Sequence, residues 1–167
     1  MKIRRIARER AVQFLFQCDL NPPDDLEEAL ASFWETQSSV VIADERGPAR
    51  WGEPLEVPPL TSEEITMRQF AEALIRGTLE HRPTLDTQIQ RYAKNWDLHR
   101  MAVVDRNILR MALYEMYHRD DIPPVVSINE AVDVAKKFST DDSGKFVNGI
   151  LDRVKSELMR PARQVDV

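Results

Sequence analysis

Apolar residues recur every three or four positions along most of this chain, which is the spacing of amphipathic helices. The first such segment covers residues 4–20, and Ala7, Phe14 and Cys18 lie on its apolar face. Asn21-Pro22-Pro23 ends this helix, because proline cannot continue a helix and restricts the residue before it. The same reasoning predicts further helices over about 24–35, 61–81, 84–95, 101–118, 127–138 and 141–160. Seven helices and no convincing strand predict an all-α fold.

Helix starts are also visible in the sequence. Thr61 with Glu64, and Ser127 with Glu130, have the spacing of a capping box. Asp141-Asp142-Ser143 is expected to cap the last helix. Residues 101–118 are apolar on nearly all sides, so this helix is predicted to be the central, most buried one.

Residues 36–60 break the helical pattern. They contain Gly47, Gly52 and four prolines, so we predict an irregular, proline-rich insertion within a single domain of residues 1–167. Trp51 lies inside the insertion, where it either pins the segment to the body or forms part of a contact surface.

Composition places the chain among soluble globular proteins, with 167 residues, 43% hydrophobic and 31% charged. Cys18 is the single cysteine, which excludes an intramolecular disulfide and fits a reducing compartment; it is expected to be a small buried hydrophobe. Neither a signal peptide nor an apolar run of membrane-spanning length is found. We therefore expect a cytoplasmic protein without a membrane partner.

The charge is distributed unevenly. Residues 1–10 carry a net charge of +4, and the remaining 157 residues carry −9. Arginines at a helix N-terminus oppose the helix dipole, which favours acids there. Contact with an anionic partner such as a phosphate backbone would explain this choice, and a solvated terminus is the alternative.

Signals for catalysis are weak, and no cofactor or metal is expected. The three histidines, His81, His99 and His118, are scattered in sequence and are expected to be exposed or capping. Ser127 and Ser143 are interpreted as helix caps and not as nucleophiles. The chain is therefore predicted not to be an enzyme.

Phe16 is a candidate contact residue on the first helix. It lies roughly 20° around the helix axis from Arg5, away from the apolar face. An exposed aromatic there could stack on bases or anchor a protein partner, and cover by the 36–60 segment is the alternative.

Several motifs, in the right order, resemble the NusB family of bacterial transcription antitermination factors. They are Arg4-Arg5 with Ala7-Arg8-Glu9, the run Leu109–Met116, Ser127–Val132, Ala135–Phe138 and Lys145–Asp152. The resemblance covers residues 2–20 and roughly 65–158, whereas the 36–60 segment has no counterpart in the family pattern. It implies two packed helical bundles and pairing with NusE, a small-subunit ribosomal protein. It further implies binding of boxA RNA within an antitermination complex on RNA polymerase.

The resemblance also implies site residues. RNA-binding residues would be Lys2, Arg4, Arg5, Arg8, Tyr92, Lys145 and Phe146, and partner-binding residues would be Phe16, Asp105 and Asp142. Three positions depart from the family pattern, because Ile6 stands in place of a further basic residue, Phe16 replaces a tyrosine and Asp105 replaces a longer glutamate.

Two other functions stay open at this point. NusB-like domains also occur fused to RNA cytosine methyltransferases, so the chain could be an RNA-positioning accessory domain. It could also be a helical scaffold or a homodimer whose basic edge is only solvated.

Overall fold

The computed structural model describes residues 2–46 and 59–159. Its helices are α1 (Lys2–Leu20), α2 (Leu26–Arg46), α3 (Ser62–Glu80), α4 (Arg82–Tyr92), α5 (Val103–His118), α6 (Pro124–Phe138) and α7 (Asp141–Leu158), with a short 3₁₀ helix at Leu98–Arg100. The prediction of seven helices is confirmed, and no strand occurs in the described ranges. None of these helices is both long enough and apolar enough to cross a membrane.

The predicted start of the 36–60 insertion is wrong, because α2 continues to Arg46. Residues 36–46 contain neither proline nor glycine and include the apolar run Val40–Ala43, so nothing interrupts the helix before Gly47. Trp51 and the prolines Pro48, Pro54 and Pro58 lie outside the described residues.

Helix starts agree with the prediction in one case and differ in two. The Thr61 hydroxyl accepts a hydrogen bond from the Glu64 amide at 3.2 Å, as the capping box predicts. At the start of α7 the cap is Thr140, not residues 141–143. Helix α6 begins at Pro124, because an N–H group at the first helical position has no partner within the helix and proline lacks that group. Ser127 is therefore a buried residue inside α6 and not its cap.

Helix α5 is the centre of the fold, as its apolar character predicts. It packs against α1 and α3 on one side and against α4, α6 and α7 on the other, so two helical bundles share it. Ile108, Leu109 and Leu113 on this helix are completely buried. The expected burial of Cys18 is also confirmed, and burial raises the pKa of its thiol to about 11.

Helices α1 and α5 run antiparallel and are joined by ion pairs at both ends. Near the start of α1, Arg8 pairs with Glu115. Near its end, one carboxylate oxygen of Asp19 accepts hydrogen bonds from Arg106 at 2.6 Å and Arg110 at 2.9 Å. These contacts set the register of the two helices.

Asp19 should make stability depend on pH in the acid range. Burial alone would raise its pKa, but hydrogen bonds from Arg106 and Asn107 and the charge of Arg110 hold the pKa at about 2, below the ordinary value of 3.8. A lowered pKa in the folded state contributes stability that is present above pH ~4 and is lost as the pH falls towards ~2. Urea unfolding at stepped pH should therefore show a smaller acid-induced loss for Asp19→Asn than for the wild-type chain, although the variant is less stable at neutral pH. Equal losses would contradict this prediction.

Two of the three histidines are not scattered in space. His81, between α3 and α4, and His118, at the end of α5, stack with ring centroids 4.1 Å apart, and both rings lie against Tyr114. Gly77 on α3 lies against the hydroxyl end of the Tyr114 side chain. This close approach of α3 and α5 depends on the absence of a side chain at residue 77.

Candidate nucleic-acid interface

The N-terminal end of α1 presents exposed basic side chains. Lys2, Arg4 and Arg5 are exposed, and the first turn of this helix contains no acid. Arg5 donates hydrogen bonds to Glu130 at 3.1 Å and to Asp133 at 3.0 Å, and the bond to Glu130 is the main cause of its raised pKa. Arg4 lies 3.8 Å from Asp121. Exposed pairs of this kind are weak, so the guanidinium groups could exchange them for phosphates.

Arg8 does not fit the prediction that it binds RNA. Its side chain is only 3% exposed, and it donates two hydrogen bonds to Glu115, at 2.9 and 2.7 Å. Arg8 lies one turn along α1 from Arg5 and points into the interface with α5. In the folded chain Arg8 holds α1 against α5, because a buried guanidinium cannot reach a phosphate without leaving its carboxylate unpaired.

Tyr92 also departs from its predicted role as an RNA-contacting aromatic. It is 8% exposed at the end of α4, and its hydroxyl hydrogen-bonds to Glu157. Burial, together with the hydrogen bond to Glu157, raises its pKa to about 12. The ring is largely buried, and the Arg91 guanidinium lies over it, 5.7 Å from the ring centroid.

Three predicted residues do come together. Asp105, Asp142 and Phe146 line one groove of about 320 Å³ between the N-terminal ends of α5 and α7. Asp105 is 8% exposed; one of its oxygens accepts a hydrogen bond from the Ser143 hydroxyl at 3.1 Å, and the other has no hydrogen-bond partner among the described residues. Burial raises the pKa of Asp105, and the Ser143 bond offsets part of that effect. The unpartnered oxygen is itself buried, so Asp105 belongs to the wall of the groove and does not present this oxygen to solvent.

Trp96 completes the groove. The helix predicted over about 84–95 ends earlier, at Tyr92, so Trp96 lies in the turn beyond α4 and is 56% exposed. Its ring meets Phe146 edge-on, with centroids 5.9 Å apart. The available signal was its position between Asn95 and Asp97, since a tryptophan flanked by polar residues in a turn is a typical surface contact residue.

The remaining predicted residues lie apart from this groove. Phe16 is half-buried in a separate depression between α1 and α2, which it shares with Phe14 and Phe33. Lys145 is exposed beside Phe146 on α7. The basic end of α1 lies near Glu115, whereas the groove lies at Asp105, about 15 Å away along α5.

The described residues contain no group of histidine, cysteine or acidic side chains arranged to hold a metal ion. Together the fold and these surfaces define a class: small all-helical proteins in which two bundles share a central helix, with exposed basic, acidic and aromatic groups at the helix ends.

Comparison with known proteins identifies the family within this class. The sequence profile of the NusB family matches residues 5–156. The transcription antitermination protein NusB of Thermodesulfovibrio yellowstonii is 39% identical over 161 residues, which cover 92% of each chain. That of Geobacter sulfurreducens is 58% identical over 91 residues, or 54% of this chain and 66% of that protein. The chain therefore belongs to the NusB family of transcription antitermination proteins.

Solved structures agree with this assignment. NusB of T. maritima superposes with a TM-score of 0.67 at 36% identity, covering 92% of this chain and 91% of that one. A structure of the antitermination factors NusB and NusE in complex with dsRNA has a TM-score of 0.67 at 23% identity, covering 94% and 98%. This second likeness concerns the fold alone.

Proposed function

We propose that this chain binds a boxA-like single-stranded RNA together with a NusE-type ribosomal protein, as part of an antitermination complex on RNA polymerase. The observation that carries the proposal is the exposed basic end of α1 on an otherwise acidic chain. Because the acidic body repels RNA, phosphate contacts must be confined to such local basic sites. Lys2, Arg4 and Arg5 are the residues proposed to make them, with Lys145 and Phe146 contributing from α7.

The NusE-type partner would bind near Asp105 and Asp142, with Phe16 as a further contact. The exposed carboxylate of Asp142, next to the largely buried Asp105, suits a basic ribosomal protein, whose approach it would also steer. RNA affinity of this chain alone should be modest and sensitive to salt, since few phosphates are contacted. A partner that adds contacts would then tighten the complex.

Fluorescence anisotropy with a boxA-like RNA and a scrambled control, with and without purified NusE and at two salt concentrations, tests the proposal. Selective binding that tightens with NusE supports it. Equal binding of both RNAs under all conditions would contradict it and favour a helical scaffold.

Exchanging both exposed arginines should weaken RNA binding without unfolding the protein. The double variant Arg4→Ala/Arg5→Ala loses up to two phosphate contacts, so the slope of log affinity against log salt should become shallower by up to about 1.4. Its thermal melt should stay close to that of the wild type, because both side chains are half exposed.

Arg76→Ala is the matched control, since Arg76 is also an exposed arginine in an ion pair but lies on α3. It should leave RNA affinity unchanged. If Arg4→Ala/Arg5→Ala retains the wild-type affinity and salt slope, the assignment of these arginines is wrong.

A further inference from the structure

Three arginine side chains approach the half-buried ring of Phe70 on α3. The guanidinium carbons of Arg4 and Arg8 on α1 lie 4.9 and 5.4 Å from the ring centroid. Arg119, which follows the last residue of α5, approaches the same ring to 5.1 Å. A guanidinium within about 6 Å of an aromatic centroid is attracted to the ring. Phe70 therefore brings cations from two distant parts of the chain together near the start of α1.

The three arginines differ in what else they contact. Arg8 is buried and committed to Glu115. Arg4 and Arg119 share one carboxylate, that of Asp121 in the turn between α5 and α6. Both approach the same oxygen: Nη2 of Arg4 lies 3.8 Å from Oδ2 of Asp121, and Nη2 of Arg119 donates to it at 3.1 Å. The guanidinium groups of Arg4 and Arg119 therefore converge on one point, which an anion already occupies.

The Asp121 carboxylate is held at the surface. Its side chain is 51% exposed. The hydrogen bond from Arg119 lowers the pKa of Asp121, and the charge of Arg4 adds to this effect, so Asp121 is ionised at neutral pH. Exposed ion pairs give little net stabilisation, because water and salt compete with them. Another anion that the same guanidinium groups recognise can therefore replace this carboxylate.

An RNA phosphate suits the position of the Asp121 carboxylate. The planar guanidinium group of arginine binds carboxylate and phosphate oxygens through the same pair of parallel hydrogen bonds. Arg4 belongs to the exposed basic end of α1, where the phosphate contacts are proposed to lie. An acidic protein is the less suitable occupant, since the partner proposed above is a basic ribosomal protein.

We propose that Arg4 and Arg119 form a phosphate-binding site positioned by Phe70, and that Asp121 occupies this site in the free protein and leaves it when RNA binds. The inference rests on the proposed function and deepens it in two respects. It adds a contact from the end of α5 to those of α1. It also makes RNA binding an exchange of one anion for another, so that an RNA with few other contacts is held weakly.

Asp121→Asn should strengthen binding of a boxA-like RNA by about two- to fivefold, the factor that corresponds to a weak exposed ion pair. Its salt slope should become steeper by up to about 0.7, because Arg4 and Arg119 then release counterions and not a carboxylate when RNA binds. Glu27→Gln is the matched control, since it also removes one negative charge from an exposed pair, with Arg76, between α2 and α3. The control should bind RNA as the wild type does.

Two further substitutions test the other members of the site. Arg119→Gln should weaken RNA binding and make the salt slope shallower by up to about 0.7, since one phosphate contact is lost. Phe70→Leu keeps an apolar side chain but removes the ring, so it should weaken binding by about two- to fivefold with the salt slope unchanged. Phe70→Tyr keeps the ring and should restore wild-type affinity. Thermal melts of all variants separate these effects from unfolding.

Each outcome decides the inference. If the wild type binds RNA selectively and Asp121→Asn binds no more tightly than Glu27→Gln, the inference is overturned while the proposed function stands. If Asp121→Asn gains affinity only when NusE is present, the site receives an acidic group of the protein partner and the RNA assignment is wrong. If the wild type binds no RNA with or without NusE, both the inference and the proposed function fail.

Discussion

Glu115→Ala should lower the free energy of unfolding by about 3–5 kcal/mol, the range expected when one partner of a buried ion pair is removed. Glu115 is 1% exposed and accepts two hydrogen bonds from Arg8 and a third, at 3.3 Å, from the Ser127 hydroxyl. Without this carboxylate, the one carboxylate that stays close to the buried Arg8 guanidinium within the described residues is Glu130, 3.9 Å away. Urea unfolding followed by circular dichroism measures the loss.

Two further variants test the cause. Asp121→Ala removes an exposed carboxylate paired with Arg119 and should leave stability nearly unchanged. Arg8→Met/Glu115→Leu replaces the pair by apolar side chains, so it should recover most of the stability lost in Glu115→Ala. A loss below about 1 kcal/mol for Glu115→Ala would show that the pair does not hold α1 to α5.

Gly77→Ala should destabilise the fold by about 1–3 kcal/mol, the usual cost of overpacking a close contact. A Cβ atom on residue 77 would lie 2.0 Å from Cζ of Tyr114, so the ring or the helices must move. Moving the ring would also break its stacking with His81 and His118. Thermal and urea unfolding measure the effect, and a shorter side chain in Tyr114→Leu should reduce the cost of adding the methyl group.

Gly149→Ala is the matched control for this substitution. Gly149 is exposed in α7, and a Cβ atom there would meet nothing within 4 Å. Alanine should therefore stabilise the helix by roughly 0.5–1 kcal/mol. Equal effects at residues 77 and 149 would mean that the Tyr114 contact is not restrictive.

Both predictions bear on how RNA-binding variants are interpreted. Arg8 follows Arg4 and Arg5 in sequence, and its exchange would reduce RNA binding by loosening α1, without any phosphate contact being lost. Stability measurements on each variant separate these two causes.

Helix number, the central position of α5 and the Thr61 cap were all predictable, because each depends on local periodicity or on residues within one turn. The end of α2 and the start of α6 were harder to predict. Pro124 begins α6 instead of breaking a helix, because proline is favoured at the first helical position. Helix α2 continues to Arg46, since the first glycine and the first proline of this segment come only after that residue. Composition averaged over a window could not separate these cases.

The sequence by itself determined the all-helical class, the apolar stripes that build the core, and the concentration of positive charge at one end, since these follow from residue type and spacing. Only the tertiary structure decided which basic and aromatic side chains are exposed to solvent and can contact a ligand. Arg8 and Tyr92 are withdrawn from solvent by partners 107 and 65 positions away along the chain, Glu115 and Glu157. Trp96 is exposed because α4 ends four residues before it. Burial and pairing depend on which helices meet, and such long-range contacts leave no periodic signal in the chain.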